Sequence, residues 1–195
     1  MAAPASRTLK DLNGKWTMNK TLSDSPDPAL ALQGIGWLTR KAIGLASITL
    51  DIKEYEGVPS PPSEAAGPAT HIEIEQLATA GVKGTTEKRC VDGEWREHGD
   101  WLFGRVRGRS NWIASAADVE DKFLAGGWLA GEGEASGPAG EGLLESYVES
   151  LDSDWTARQI WGFQTVEGER RYCRNIVVAK GAQRVEIRLV YDYLP

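Results

Sequence analysis

Gly14-Lys15-Trp16-Thr17-Met18-Asn19-Lys20 and, after a proline-bearing break, Ala29-Leu30-Ala31-Leu32-Gln33-Gly34-Ile35-Gly36-Trp37-Leu38-Thr39-Arg40-Lys41-Ala42-Ile43 decide the fold. The first run is short and extended. The second is the part of the chain that reads as helix. Ser25 or Asp27 is placed to cap its first turn, because a short polar side chain accepts from the free N–H groups there. Pro28 follows where a missing N–H costs nothing. Gly34-Ile35-Gly36 breaks the run, since glycine is a poor helix former and a good C-terminal cap. Trp37, Leu38, Lys41 and Leu45 then recur at helical spacing. Two helices this short are not stable alone in water, so they must lie on something. An open barrel end is one such support.

Outward from this stretch the chain reads as strand and turn. Residues 1–10 read as a flexible N-terminal arm. From Ser47 to Tyr55, Ile48, Leu50 and Ile52 alternate with Thr49, Asp51 and Lys53, the pattern of a half-buried strand. Further strands are predicted at 71–77, 85–91, 95–103, 105–113, 143–151, 155–166, 170–179 and 184–193. Ala80-Gly81 and Asp92-Gly93 are turns, the second a strong hairpin signal because both residues tolerate positive φ. Two stretches interrupt the rhythm: the proline-bearing 56–70 and the glycine-rich, acidic 116–142. Both read as loop insertions in one barrel domain, 11–195, because strands resume at once after each. With no crossover helix between strands, successive strands are antiparallel neighbours. The expected fold is all-β: one up-and-down antiparallel β-barrel of about ten strands, capped by a short helix-turn-helix near the N-terminus. Closure removes exposed edges and leaves an interior able to hold a ligand.

Composition excludes several classes. The 195 residues carry a net charge of −6 with no basic block, which argues against nucleic acid. Arg105, Arg107 and Arg109 alternate and read as one solvated strand face. Two cysteines, Cys90 and Cys173, and two histidines, His71 and His98, show no metal-ligand spacing, so neither metal nor cofactor is expected. No run approaches the length of a membrane span, and the first residues lack the apolar core of a signal peptide. The expectation is a cytoplasmic protein with no membrane insertion and with free thiols; its oligomeric state stays open. Eight tryptophans are many for this size, and such groups line both cores and ligand cavities.

The layout of one strand, a helical pair and a meander of strands resembles that of intracellular fatty-acid-binding proteins, within the calycin superfamily that also holds the lipocalins. Gly14-Lys15-Trp16 resembles the family's opening Gly-x-Trp, and Leu32-Gln33-Gly34-Ile35-Gly36-Trp37-Leu38-Thr39-Arg40-Lys41 resembles its helix-turn-helix signature. The resemblance implies a barrel cavity that binds a small hydrophobic, anionic molecule such as a fatty acid, terpenoid or polyketide. The family's last strand holds an Arg-x-Tyr pair on the ligand carboxylate; here Arg188-Leu189-Val190-Tyr191 puts Arg188 and Tyr191 on opposite faces. The clamp is therefore not preserved as such.

Candidate ligand contacts are the polar residues that one face choice sends inward. Tyr172 and Arg174 share a face with Ile176 and Val178, and an interior Arg174 would meet a carboxylate or enolate. Tyr191 is a donor on an apolar face. Arg158 and its neighbour Gln159 compete for the interior of their strand. By the resemblance, Trp37 and Arg40 sit on the helix that covers the portal. Trp16 reads as structural, plugging the closed end. No catalytic set is implied; His71 and His98 are the available bases. Two functions remain: a carrier, or a lipocalin-like cyclase or isomerase of secondary metabolism that folds a reactive substrate against apolar walls. A third, an adaptor acting through the acidic loop, would lose its partner on deletion of 126–142.

Overall fold

The structure, a computed structural model, describes every residue except Ala80. The expected turn at Ala80-Gly81 therefore lies partly outside the described residues. The elements are β1 (Gly14–Met18), α1 (Asp27–Leu32), α2 (Trp37–Leu45), β2 (Ile48–Gly57), β3 (Ala69–Ala78), β4 (Thr85–Val91), β5 (Arg96–Asp100), β6 (Gly104–Ile113), β7 (Leu143–Ser150), β8 (Trp155–Val166), β9 (Glu169–Lys180) and β10 (Gln183–Leu194). They form one ten-stranded sheet in the order β4-β3-β2-β1-β10-β9-β8-β7-β6-β5, closed by a β4–β6 contact. The all-β barrel capped by a helical pair is as the alternation predicted.

Closure differs from expectation at one seam. Gly93 does take the left-handed conformation its turn requires, at φ +81°. Yet β4 and β5 do not pair across it. β5 pairs with β6 from Arg96↔Gly108 to Asp100↔Gly104, and β4 meets β6 at the single parallel step Val91↔Ser110. The hairpin therefore splays. Arg96 holds its base open: it binds the Asp92 carboxylate at 2.7 Å and the carbonyls of Ser60 and Pro61 at 2.6 and 3.0 Å. The 58–62 backbone thus lies against the turn instead of standing away from the barrel.

Two apolar layers fill the ends. The closed end packs Trp16, Leu50, Ile72, Ile74, Phe163 and Tyr172 with Ala3, Leu9 and Leu12 from the N-terminal segment. Residues 1–10, expected as a loose arm, contact the barrel there: the Ala3 N–H donates to the Arg170 carbonyl, and Leu9 is buried. Leu9 and Leu12 lack helical or strand periodicity, which is why the sequence hid them. Trp16 is fully buried and plugs this end as read. At the other end α1 sends Ala29 and Leu32 onto Trp155, Ile176, Val178 and Ile187. Its N-cap is Pro26, not Ser25 or Asp27, and no side chain caps it. Asp27 instead pairs with Arg40 of α2 at 2.8 Å. No residue of α2 is buried.

The segment 116–142 is a coat on the outer wall. Val119 and Leu124 bury against Ile160 and Val177, Trp128 bridges to Gln164, and Asn175 donates to the carbonyls of Phe123 and Gly126 at 3.0 Å. Gly162 makes the fit possible, because a Cβ there would stand 2.8 Å from the Trp128 ring. Arg105 and Arg107 pair at the surface with Asp152 and Glu149 at 3.0 and 2.6 Å, as read for this face, but Arg109 lies over the Trp95 and Tyr147 rings with its Nε buried. Cys90 and Cys173 are unpaired thiols. No helix among the described residues is long and apolar enough to cross a membrane.

Candidate functional site

Period two along β8, β9 and β10 turns Ala157, Gln159 and Trp161, Tyr172, Arg174 and Ile176, and Ile187, Leu189 and Tyr191 to the interior. Arg174 sits opposite Leu189 and Trp161 in the ladder, and Tyr172 opposite Tyr191 and Phe163. Above this layer, beneath α1, lies a cavity of about 200 Å³ walled by Leu30, Ile43, Ile176, Val178, Ile187 and Leu189. A second cavity of about 300 Å³ opens toward the splayed β4–β5 seam past Arg89, Glu97 and Ser110. The two share Gln33, Thr85, Glu87, Phe103, Ala157 and Gln159, so they adjoin.

The floor is polar. Arg174 is 4% exposed. Its Nε donates to the Tyr172 hydroxyl at 3.0 Å, and its guanidinium stands 3.9 Å from the Trp161 centroid and 5.4 Å from that of Tyr191. Its Nη2 is buried without a hydrogen-bond partner. On β4, Glu87 accepts from Gln76 and from Arg89, both at 2.6 Å. Arg89 also donates to Ser146 at 2.7 Å and lies 5.1 Å from the Trp161 ring. Trp161 donates to Gln159 at 3.0 Å.

Electrostatics follow from these contacts. Burial works against ionisation of Glu87, but the Arg89 and Arg174 guanidiniums outweigh it and hold the carboxyl below its usual range. Burial pushes the Tyr172 hydroxyl up, against the opposing field of Arg174. Burial likewise raises the Tyr191 hydroxyl. Both phenols are therefore neutral near pH 7. Burial lowers the Arg174 pKa, while the Tyr172, Tyr191 and Glu87 oxygens raise it by more, so the guanidinium stays charged.

Three of the six candidate ligand contacts converge. Arg174 and Tyr191 line the cavity, and Tyr172 supports Arg174 from the layer below. The other three do not. Arg158 points to the outer wall and pairs with Glu145 at 2.6 Å, because its neighbours Ala157 and Gln159 take the inward positions. Trp37 is 64% exposed, and Arg40 is spent on Asp27; Ile43 is the α2 residue that reaches the cavity. His71 is also away from it, stacked on Tyr55 with its ring nitrogen 2.9 Å from the Val58 carbonyl. Sequence reasoning missed Gln76, Glu87, Arg89 and Trp161. Thr85-Thr86-Glu87-Lys88-Arg89 is polar on both faces, so alternation gives no inward side there. The available signal was the charge pair at Glu87 and Arg89, two apart and hence on one face.

Solved structures bear out the barrel assignment. Fatty-acid-binding protein 1 of Echinococcus granulosus superposes with a TM-score of 0.56 at 14% identity, over 94% of this chain and 98% of that one. The fluorescent protein UnaG superposes at 0.52 and 14% identity, over 94% and 97%. Likeness at this identity shows the fold alone. No protein-family model matches the chain. Two curated proteins do match along nearly their whole length: "Probable pericyclase scpY" of Mollisia scopiformis, 34% identical over 194 residues, 99% of this chain and 95% of that protein, and "Pericyclase pydY" of Acremonium sp, 32% identical over 195 residues, 100% and 97%. Shared identity of this extent, end to end, means that the chain belongs to the family of scpY and pydY.

Proposed function

We propose that this protein is a pericyclase, which binds a hydrophobic, carbonyl-bearing polyene in the barrel and folds it for a concerted ring-forming rearrangement. The observation that carries the reading is the buried, unpartnered Nη2 of Arg174 at the floor of an apolar cavity. The names of the two relatives point the same way.

The chemistry asks little of side chains. A pericyclic step moves electrons round a closed array of atoms, with no leaving group and no net proton transfer. The barrier is set by bringing the two reacting termini together and by the charge that gathers on an activating carbonyl. Apolar walls supply the first, as an orientation effect. A fixed buried donor supplies the second, because its N–H is already aimed where charge develops. Arg174 is that donor. Tyr172 and Trp161 position it, one through Nε and one beneath the guanidinium plane. Ile176, Val178, Ile187 and Leu189 hold the polyene. Glu87 is ionised and doubly occupied, which leaves it a structural partner and not a base.

Binding of a small hydrophobic molecule inside the barrel is common to this reading and to a carrier. Conversion separates them. The test is to incubate the protein with an organic extract from its own host lacking the gene, and to follow products by liquid chromatography and mass spectrometry. The expected result is a new compound of unchanged mass and different retention, reduced roughly 10²–10³-fold in rate by Arg174→Gln. A ligand that binds and is recovered unaltered supports the carrier and overturns the pericyclase.

A further inference from the structure

The polar floor carries an unbalanced charge. Three ionised groups meet there: Glu87, Arg89 and Arg174. Both oxygens of Glu87 are occupied, one by Gln76 and one by Arg89. Tyr172 and Tyr191 are neutral. Among the described residues no carboxylate lies within ion-pair distance of Arg174, although the side chain is 4% exposed. One positive charge is therefore left over in the barrel interior. An uncompensated buried charge is costly and is normally paired. Here it borders a cavity instead.

We propose that the substrate itself brings the missing anion: an acidic oxygen group, carboxylate or enolate, that takes the free Nη2 of Arg174. This rests on the reading of the barrel interior as the substrate site. It adds a polarity and a length. The acidic end lies on the floor between Arg174 and Tyr191. The apolar body runs toward the helices along Ile176 and Val178 on β9 and Ile187 and Leu189 on β10. From Arg174 to Val178 is four strand residues, about 13 Å of wall. The arginine is not the one the fatty-acid-binding resemblance points to, since Arg188 lies on the other face of β10 and its backbone N–H is engaged by Asp24.

The test uses two matched probe pairs, each an acid and a neutral partner of nearly equal shape. One pair is decanoic acid and 1-decanol. The other is 2-decanoylcyclohexane-1,3-dione and its O-methyl enol ether. Affinities for the full-length protein are measured by isothermal titration calorimetry at pH 7.5. The acid of at least one pair should bind tenfold or more tighter than its neutral partner. Preference in the first pair only assigns a carboxylate, in the second only an enolate, and in both a general anion site. Arg174→Lys should keep the preference and Arg174→Met should abolish it, with circular dichroism to check the fold. The wild-type comparison stands even if a variant does not fold. Equal affinity within both pairs, or no binding of any probe, overturns the proposal. A clear acid preference alongside no conversion of the host extract would overturn the pericyclase reading alone.

Discussion

The Arg174 guanidinium stands 3.9 Å from the centroid of the Trp161 indole, and Arg89 stands 5.1 Å from the same ring. One flat side chain thus serves two interior cations from two distant strands, Arg174 buried and Arg89 partly so. The ring also fixes its own orientation by donating to Gln159. A cation held over an indole is stabilised without any counter-ion, and the more so when water is excluded.

Removing that platform should misplace the donor. Trp161→Leu should lower turnover by tenfold or more, because displacements of about 1 Å in a positioned group cost up to about 10²-fold. Trp161→Phe should retain part of the rate. Single-turnover product formation, with thermal melting as the control for packing, checks both.

Ala157 lines both interior cavities where they adjoin. Ala157→Phe should fill the junction, weaken binding of decanoic acid at least tenfold, and cost roughly 1–3 kcal/mol in stability through overpacking. Calorimetric titration beside a denaturant melt separates the two effects.

Arg158 lies outside the barrel wall on Glu145. Arg158→Gln should leave turnover within twofold of wild type. A larger loss, measured on folded protein, would return this residue to the site.

Glu54 gives the closed end a pH dependence. Its Oε2 accepts from the Leu12 N–H at 2.8 Å, while Oε1 is buried without a partner. Burial, against the opposing Leu12 hydrogen bond, pushes its pKa up to about 8. The folded state therefore keeps a proton that the unfolded chain releases near 4.5. The stabilisation is fully present below that pH and is lost as pH rises to about 8, at about 1.4 kcal/mol per unit while the two states differ. Glu54→Gln should flatten the decline and raise the melting temperature most at pH 8. Melts from pH 4 to pH 9 check it.

Trp128 fixes the outer coat over Gly162, with its indole donating to the Leu124 carbonyl at 2.7 Å. Trp128→Ala should cost roughly 1–3 kcal/mol and leave the cavity affinity unchanged. Denaturant melts and probe titration check the two halves. The segment 116–142, read from the sequence as a loop, covers apolar wall at Ile160 and Val177.

Much of the architecture was legible because strand and helix periods are local. The runs 47–55, 85–91 and 155–166 place their strands within a residue or two of Ile48–Gly57, Thr85–Val91 and Trp155–Val166. The inward face of β10 was legible too, since Val185, Ile187, Leu189 and Tyr191 leave one apolar side; on β9 the choice stayed open, because Cys173 and Val177 make the face opposite Arg174, Ile176 and Val178 apolar as well. Arg158 was not legible either, because β8 carries apolar residues on both faces: Trp161 and Phe163 fill the core, while Ile160 meets the outer coat.

The order of elements and the helical cap are thus properties of the sequence by itself, because backbone period and turn chemistry act over a few residues. Only the closed barrel decides which partner each charge obtains. It gives Arg40 to Asp27 and Arg158 to Glu145, brings Arg89 to Glu87 and Ser146, and leaves Arg174 over Trp161 with its Nη2 unpartnered. Pairing energies depend on distance and burial, and both are set by strands that meet only when the sheet closes.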